Sequence, residues 1–294
     1  MCDLLVALPS ATGGPTIFAK NSDRPPVEQQ LLEFSSPRRD SVTHCTYIDV
    51  EAHPSPTLPC LISRPAWCWG AEHGVNAAGV AVGNASIFTV LDPRPFPDAL
   101  IGMDLVRLAL ERATDAHEAT ALITLLLERH GQGGSGHHPS LGRRPYWSSF
   151  LIADPRDAWV VETSGSDWEA HRVDDVWALS NRTTIASFEP NRHPAQPVAT
   201  LVDPRLDSTR ALLSTRPVGV DRVTAHLASH IDGSGGWSVC MHVDGVQQTT
   251  ASMVATLPDG AEPEVLVAPG NPCVTPFERV RLGVVPRSGL HGAR

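Results

Sequence analysis

Short apolar runs bounded by proline or glycine dominate the first third of the chain. Such runs predict β-strands, because apolar and β-branched residues between turn formers fit a pleated, half-buried surface. The predicted strands are Asp3–Leu8, Thr16–Lys20, Cys45–Asp49, Cys60–Ser63 and Gly79–Ala85. The turn cluster Pro9–Pro15 separates the first two runs, so these two strands are predicted to form a hairpin.

The period of the apolar positions changes in the middle of the chain. In Gly102–Arg112 and Asp115–His130 the apolar residues recur every three to four positions, which predicts two amphipathic helices. Thr114 or Asp115 can cap the start of the second helix. Gly131 can adopt the left-handed conformation that ends it.

Short runs return after a Gly-Ser-His loop at 131–140. They predict strands at Ser149–Ala153, Trp159–Thr163, Glu169–Arg172, Val176–Ser180, Ser238–Met241, Thr249–Thr256 and Glu264–Val267. Two further helices are predicted at Ser208–Ser214 and Val220–His230. No compositional break forces a boundary, so this order predicts one α+β domain over residues 1–285, with a frayed tail at 286–294.

Composition narrows the class of partner. The chain is 41% hydrophobic and 19% charged, with a net charge of -9 and no polybasic run, which argues against nucleic acid or an anionic membrane as partner. No apolar stretch is long enough to span a bilayer, and MCDLLVALPS lacks the features of a secretory signal. We expect a cytoplasmic protein with a small-molecule or dipeptide substrate, and leave homo-oligomerisation open.

Metal and cofactor motifs are weak in this sequence. Six cysteines are too sparse for a disulfide scaffold, and no pair has the two-residue spacing of a zinc knuckle. His137 and His138 have no third ligand at a recognisable spacing, so a solvated loop is favoured. The glycines of 131–136 lack the lysine and hydroxyl of a phosphate-binding loop. We therefore predict neither a metal nor a cofactor.

The start of the chain carries the strongest chemical signal. Cys2 follows the initiator methionine and is small enough to allow its removal, which would leave a cysteine with both a thiol and a free α-amine. With an ordinary pKa of about 7.7–8.0, that amine can take the thiol proton and return it to a leaving amine. Position 2 could instead be merely a small residue at a frayed terminus.

The predicted hairpin favours the catalytic interpretation, because it returns the charged end of the second strand to Cys2. That end contains Lys20, the only lysine among 23 basic residues, and Asp23. A cation beside the thiol would lower its pKa, and a carboxylate would orient the α-ammonium. Coding bias toward arginine also explains the rarity of lysine, and a solvated turn is the alternative for this cluster.

Eight segments carry a likeness to a known family: MCD at the start, FAKNSDRP at Phe18–Pro25, Ser63–Asn84, Gly102–Ala113, GQGG at Gly131–Gly134, Ser149–Thr163, LSNR at Leu179–Arg182 and Met241–Pro258. These segments resemble those of the secernins and their bacterial dipeptidase relatives. They occur in colinear order over most of the chain. The resemblance is weakest from Phe188 to Gly236, where this chain is shorter than typical relatives.

The resemblance implies a four-layer αββα sandwich of two antiparallel sheets, the N-terminal nucleophile (Ntn) hydrolase fold. It implies that Cys2 is the nucleophile and that Lys20 stands where related penicillin and bile-salt amidases have an arginine. By the same resemblance, Asp23 binds the α-amine, Asn84 is the side-chain donor of the oxyanion hole, and Asn181 is a second active-site asparagine.

Five further residues are weaker substrate-binding candidates. Trp69 lies in Trp67–Glu72, where packing is the favoured interpretation, and Glu72 is expected to approach the pocket. His242, Thr249 and Thr250 lie in a polar strand that is either an exposed edge or an inner strand lining the pocket. The resemblance favours the inner strand.

The function predicted is that of an N-terminal-cysteine amidohydrolase, first of all a dipeptidase. An acylase acting on an N-acyl amine or a lactam would use the same nucleophile. A non-catalytic, secernin-like regulatory or binding protein is the alternative from another class. The joint presence of all five predicted catalytic residues argues against that alternative.

Overall fold

Sixteen strands and six helices form the described chain, which covers residues 1–231, 233 and 236–283 of a computed structural model. The strands are β1 (Cys2–Ala7), β2 (Thr16–Arg24), β3 (Gln30–Ser35), β4 (Val42–His44), β5 (Asp49–Glu51), β6 (Cys60–Pro65), β7 (His73–Asn76), β8 (Ala81–Ile87), β9 (Trp147–Ala153), β10 (Ala158–Ser164), β11 (Asp167–Arg172), β12 (Val176–Leu179), β13 (His242–Val243), β14 (Gln247–Leu257), β15 (Glu264–Ala268) and β16 (Glu278–Val280). The helices are α1 (Pro9–Thr12), α2 (Gly102–Arg112), α3 (Ala116–His130), α4 (Val198–Leu201), α5 (Asp203–Ser214) and α6 (Val220–Leu227).

Two large antiparallel sheets organise these strands. The first sheet has the order β12-β1-β2-β14-β15-β16, with β13 paired to β14. The second sheet has the order β11-β10-β9-β8-β7-β6-β3, and β4 and β5 form a separate ribbon. The hairpin predicted at the N-terminus is present as β1 and β2, with Cys2 opposite Ser22 and Leu4 opposite Lys20.

Three hydrophobic cores separate four layers. Between the sheets, Leu4 and Phe18 pack in one cluster with Leu61 and Leu151. Helices α2 and α3 cover the outer face of the second sheet, whereas α5 and α6 cover the outer face of the first. Because each sheet buries both faces, the architecture is the αββα sandwich that the sequence predicted.

Successive residues of β1 and β2 point in opposite directions, as in any strand. The even positions, such as Cys2 and Lys20, face the second sheet. The odd positions, such as Asp3 and Asn21, face the layer of α5 and α6, where Asp3 contacts Arg205 and Asn21 contacts Leu227. One hairpin therefore supplies polar side chains to two separate layers.

Two predicted strands are wrong. In both segments the backbone amides donate hydrogen bonds to groups other than the backbone of a neighbouring strand. In the predicted strand Cys45–Asp49, residues 45–48 form the turn between β4 and β5, and Asp49 begins β5; within the turn the Cys45 amide donates to the Ile48 carbonyl and the Thr46 amide to the Asp104 carboxylate. Ser238–Met241 is irregular, since the Cys240 amide donates to a loop carbonyl and the Met241 amide to the Thr249 hydroxyl. Strands β3, β7 and β16 were not predicted.

Three further predictions concern membrane-spanning helices, the C-terminal tail and the extent of the domain. Within the described residues, no helix has the length and apolarity needed to cross a membrane. The expected frayed tail at 286–294 lies outside the described residues. The single-domain extent of 1–285 stays a prediction.

Candidate active site

Cys2 is the first residue of β1, lies on the inter-sheet face and lines a cavity of about 710 Å³. The residue is 6% exposed, so its thiol is nearly enclosed but can be reached through the cavity. The strand places Cys2 next to the apolar inter-sheet core, which makes β1 a rigid support for the thiol. A terminal cysteine positioned by a sheet is not the frayed end that the alternative interpretation required.

Lys20 and Glu72 meet beside the thiol. The Lys20 ammonium lies 3.4 Å from Oε2 of Glu72, and the Cys2 Sγ lies 3.8 Å from the same oxygen. Lys20 is 0% exposed and comes from β2, whereas Glu72 comes from the segment joining β6 to β7 of the opposite sheet. Thiol, cation and carboxylate therefore form one buried cluster that bridges the two sheets.

Gly83 makes room for the long side chain of Lys20. A Cβ built on Gly83 would approach the Lys20 Cδ to 2.9 Å and the Leu4 Cδ2 to 2.9 Å. Any larger residue at position 83 would push the lysine stem out of its place between the sheets. The glycine in the segment AVGN of β8 thus has a packing reason tied to the cluster.

Burial and the neighbouring charges shift the pKa values of the groups in this cluster. Burial raises the pKa of the Cys2 thiol, and the charge of Lys20 opposes that rise. Burial alone would raise the pKa of Glu72, but Lys20 and Arg24 lower it to about 2, so Glu72 is an anion at neutral pH. Burial, followed by the charge of Lys20, lowers the pKa of His73 to about 3, so this histidine is neutral.

Arg24 and Glu28 complete the buried charge network, and the sequence predictions included neither. The Arg24 guanidinium donates to Oε1 of Glu72 at 2.5 Å, to Oε2 of Glu28 through Nε at 2.7 Å, and to the Gly136 carbonyl at 2.6 Å. Glu28 in turn accepts from the His138 amide at 2.9 Å. Arg24 thereby fixes Glu72 and anchors the glycine-rich loop at the cavity wall. An arginine inside the matching segment FAKNSDRP was the available signal.

Asp23 lies opposite Met1 at the end of the hairpin. The Met1 amine donates to the Asp23 carbonyl at 2.9 Å, and the Asp23 amide donates to the Met1 carbonyl at 2.8 Å. Oδ1 of Asp23 accepts from the Thr249 hydroxyl at 2.7 Å, whereas buried Oδ2 has no hydrogen-bond partner in the part of the chain described. Burial raises the pKa of Asp23 to about 6, although the positive N-terminus opposes the shift.

Asn181 fixes the backbone nitrogen of the nucleophile. Its Oδ1 accepts from the Cys2 nitrogen at 2.9 Å and from Arg205 at 3.0 Å. Its Nδ2 donates to the Ser86 carbonyl at 2.9 Å. Because its amide is already bonded on both sides, Asn181 is suited to positioning Cys2 rather than to stabilising an oxyanion.

Asn84 borders the cavity, but its carboxamide points to the layer of α2, because the preceding Gly83 faces Lys20 and Leu4 between the sheets. Asn84 lies on β8, is 3% exposed and lines the same cavity as Cys2. Its buried Oδ1 has no hydrogen-bond partner among the described residues. Gly102, the first residue of α2, leaves the space it needs, since a Cβ there would come within 2.6 Å of the Asn84 Nδ2.

The sequence model of peptidase family C69 matches residues 3–204, which is more than half of the chain. The chain belongs to peptidase family C69. The matched span begins directly after Cys2 and contains the other catalytic candidates named above. Membership of the C69 family, together with a cysteine at position 2, makes the chain an N-terminal-cysteine amidohydrolase, as the sequence predicted.

Solved structures share the fold of this C69 chain at low sequence identity. A mutant conjugated bile acid hydrolase from Clostridium perfringens is 11% identical, with a TM-score of 0.57 over 96% of this chain and 97% of that one. The Caenorhabditis elegans ortholog of N-acylethanolamine-hydrolyzing acid amidase is 13% identical, with a TM-score of 0.55 over 88% and 94%. Penicillin V acylase from Agrobacterium tumefaciens is 12% identical, with a TM-score of 0.54 over 96% and 98%.

Four of the weaker substrate-binding candidates do not line the cavity in the described chain, whereas Glu72 does. Trp69 packs against the Arg107 guanidinium, 4.6 Å from its ring, on the helix side of the second sheet. Thr249 supports Asp23, and Thr250 donates to the Ser22 carbonyl at 3.2 Å, although β14 is the inner strand that was expected. His242 lies beside two cysteines instead.

Proposed function

We propose that this C69 enzyme is a dipeptidase whose nucleophile is the thiol of Cys2, exposed as the N-terminal residue after removal of Met1. The observation that carries the proposal is that the Cys2 thiol and the Lys20 ammonium both lie near one carboxylate oxygen of Glu72, and that Cys2 and Glu72 line a cavity. A cation at this position favours the thiolate, which is the nucleophilic form of cysteine.

Removal of Met1 would convert the Cys2 nitrogen from an amide into a primary amine. That nitrogen already donates to Asn181 Oδ1, so the amine would keep this partner. Loss of Met1 also frees the backbone groups of Asp23 that now pair with it, next to the unpartnered Asp23 Oδ2. The new α-amine therefore enters a setting with several acceptors, as an ammonium requires.

The proposed reaction begins when the α-amine accepts the thiol proton and the Cys2 sulfur attacks the scissile carbonyl carbon. The carbonyl oxygen becomes an oxyanion, for which the family resemblance assigns Asn84 as the side-chain donor. The α-ammonium then protonates the leaving amine as the C–N bond breaks, which leaves a thioester on Cys2. Water, deprotonated by the same amine, hydrolyses the thioester and restores the thiol.

Glu72 supports a dipeptide as the substrate. In a dipeptide the free ammonium is on the carbon next to the scissile carbonyl, so it must lie close to the attacking sulfur. An anionic carboxylate 3.8 Å from Sγ is in the right place to attract it, in competition with Lys20 and Arg24, which already contact its two oxygens. The exposed Arg144 at the cavity wall can attract the carboxylate at the other end.

An acylase is the second candidate, and the apolar wall of the cavity favours it. This wall includes Ile87, Phe88, Trp147, Leu201 and Trp237. Phe88 is 49% exposed, so part of this apolar surface is open to a ligand. Such a wall suits a hydrocarbon acyl chain, and it equally suits a large apolar side chain of a dipeptide.

A matched substrate panel separates the two candidates. Wild type and Cys2→Ala are assayed with apolar dipeptides, with the same dipeptides N-acetylated, and with N-acyl amino acids of increasing chain length. We expect turnover of the free dipeptides, a large loss on N-acetylation, and no turnover by Cys2→Ala. Turnover confined to acylated compounds would establish the acylase. Failure of every substrate with intact, Met1-free protein would favour the non-catalytic alternative.

The cellular setting remains part of the proposal. We expect the enzyme in the cytoplasm, where its six cysteines would stay reduced. Fractionation of the source cells tests the location. Light scattering of the purified protein tests whether it forms a homo-oligomer.

A further inference from the structure

Two histidines and two cysteines converge at a place away from Cys2. His230 follows α6, Cys240 and His242 lie in the segment that enters β13, and Cys273 follows β15. One ligand atom from each of the four lies within 4.8 Å of the other three. The loop after α6 and the segment after β15 thus present four metal-binding groups to a single point.

The separations are close to those of a tetrahedral zinc site. The His242 Nε2 lies 3.4 Å from the Cys240 Sγ and 3.1 Å from the Cys273 Sγ. Zinc bonds of about 2.3 Å to sulfur and about 2.0–2.1 Å to nitrogen place neighbouring tetrahedral ligands roughly 3.3–3.8 Å apart. Small adjustments of the side chains would therefore bring all four into the first coordination shell of one ion.

A buried nitrogen at this point lacks a partner. The Nε2 of His230 is inaccessible to solvent and has no hydrogen-bond partner among the described residues. Its ring lies 5.1 Å from that of His242, in an edge-on arrangement. Burying an unsatisfied polar nitrogen is costly, and a bound cation would remove that cost.

The backbone around the cluster is already fixed. The Cys240 amide donates to the Ser229 carbonyl at 3.0 Å, which ties the two sides of the loop between α6 and β13 together. The Asn271 side chain donates to the Met241 carbonyl at 3.2 Å, which links the Cys273 segment to the Cys240 segment. These bonds position the ligands before any metal binds.

We propose that His230, Cys240, His242 and Cys273 bind a structural zinc ion. Four protein ligands would fill a tetrahedral shell and leave no open position, which is the composition of a structural Cys₂His₂ site rather than of a catalytic one. The site also has a link to Asp23. Met241, between two of the ligands, donates its amide to the Thr249 hydroxyl, and that hydroxyl donates to Asp23.

Metal analysis of wild-type protein, expressed without a histidine tag, tests the proposal. We expect equimolar zinc by mass spectrometry, and growth with cobalt should give the thiolate-to-cobalt charge-transfer and visible bands of a tetrahedral site. Neither readout depends on activity, so the result is independent of the proposed function. Metal-free protein with no cobalt bands, or a Cys240–Cys273 disulfide found by alkylation without reduction, would overturn the proposal.

Variants assign the ligands. Cys273→Ser is expected to lose most of the zinc and the thiolate bands, whereas the matched control Cys45→Ser, at a half-buried cysteine outside the cluster, keeps both. Chelation should lower the melting temperature of wild type and of the control by the same amount. Equal zinc content in Cys273→Ser and wild type would contradict the assignment.

Discussion

The N-terminal hairpin buries an ion pair on each of its two faces, and the two pairs differ in how fully their charged groups are hydrogen-bonded. On the helix face, Asp3 accepts from Arg205 at 2.6 Å and from Ser180 at 2.7 Å, and the guanidinium also bonds Asn181 and the Leu201 carbonyl. On the inter-sheet face, the Lys20 ammonium lies 3.4 Å from Glu72 and has no hydrogen-bond partner within the described chain.

This difference distinguishes a buried ion pair that stabilises the fold from a buried charge that is available for catalysis. A saturated pair such as Asp3–Arg205 has no capacity left for a ligand, and its loss would leave an uncompensated buried charge. An incompletely bonded group such as Lys20, buried beside the thiol of a cysteine that lines the cavity, retains capacity for a developing charge. We therefore expect substitutions on the helix face to lower stability and substitutions on the inter-sheet face to lower activity.

The largest effect is expected for Cys2→Ala, which removes the nucleophile. Turnover of every substrate should fall to background, because the thioester cannot form. The free energy of unfolding should change by no more than about 1 kcal/mol, since the change is small and lies at the cavity. Wild type and Cys2→Ala are compared in the same assay. Retained turnover by the variant would show that Cys2 is not the nucleophile.

Arg205→Met is expected to act mainly on stability, although it also removes a hydrogen bond to Asn181, the residue that positions Cys2. The methionine fills much of the arginine's volume but leaves Asp3 buried without its cation, at a cost of about 3–5 kcal/mol in the free energy of unfolding. Denaturant titration measures the change. Arg210→Met, on the exposed side of the same helix, is the control and should be near neutral. Equal free energies of unfolding for Arg205→Met and Arg210→Met would contradict a stabilising role of the Asp3–Arg205 pair.

Asn84→Ala should lower kcat by about 10²–10³, or about 2.7–4 kcal/mol of barrier, because an oxyanion donor is lost. Its melting temperature should stay close to that of wild type, since the Asn84 Oδ1 has no hydrogen bond to lose in the described chain. Full activity of this variant would remove Asn84 from the oxyanion hole.

Lys20 can be tested for charge and for shape separately. Lys20→Met removes the cation, so the pH at which Cys2 is alkylated by iodoacetamide should move upward. Lys20→Arg keeps the charge but replaces the compact ammonium with a planar fork, and we expect about a tenfold loss of kcat, or about 1.4 kcal/mol. Wild-type kcat in Lys20→Arg would reduce the role of Lys20 to a generic cation.

The smallest effect concerns acid stability. Burial opposes the shift, but Lys20 and Arg24 lower the pKa of Glu72 from 4.5 to about 2. Between these values the unfolded chain binds more protons than the folded one, so stability is full above about pH 4.5 and falls toward pH 2. Unfolding followed from pH 6 to pH 2 should show this loss, and Glu72→Gln should show a shallower one. An identical slope in both proteins would contradict the assignment.

Local pattern predicted the parts of the site that depend on the hairpin. Cys2, Lys20 and Asp23 come together because two adjacent strands joined by a tight turn must pair in register. Asn84 and Asn181 came from the family resemblance, because no short-range pattern brings β8 or the end of β12 to β1.

Contacts between distant segments could not be predicted in the same way. Glu72 was expected only to approach the pocket, and its contact with Cys2 depends on how the two sheets stack. Cys273 is 31 residues from His242, so their spacing suggested no metal motif. Trp69 packs against Arg107, in line with the packing interpretation favoured from sequence, but an aromatic pair beside a cysteine carries no information about which side of a sheet it packs on.

The central claim, that Cys2 acts as an N-terminal nucleophile, is tested most directly by the intact mass of catalytically active protein. The account predicts a chain lighter than the encoded 294 residues by one methionine, with Cys2 carrying a free α-amine. Fully active protein that retains Met1 would contradict it, because the nitrogen proposed as the base would then be an amide.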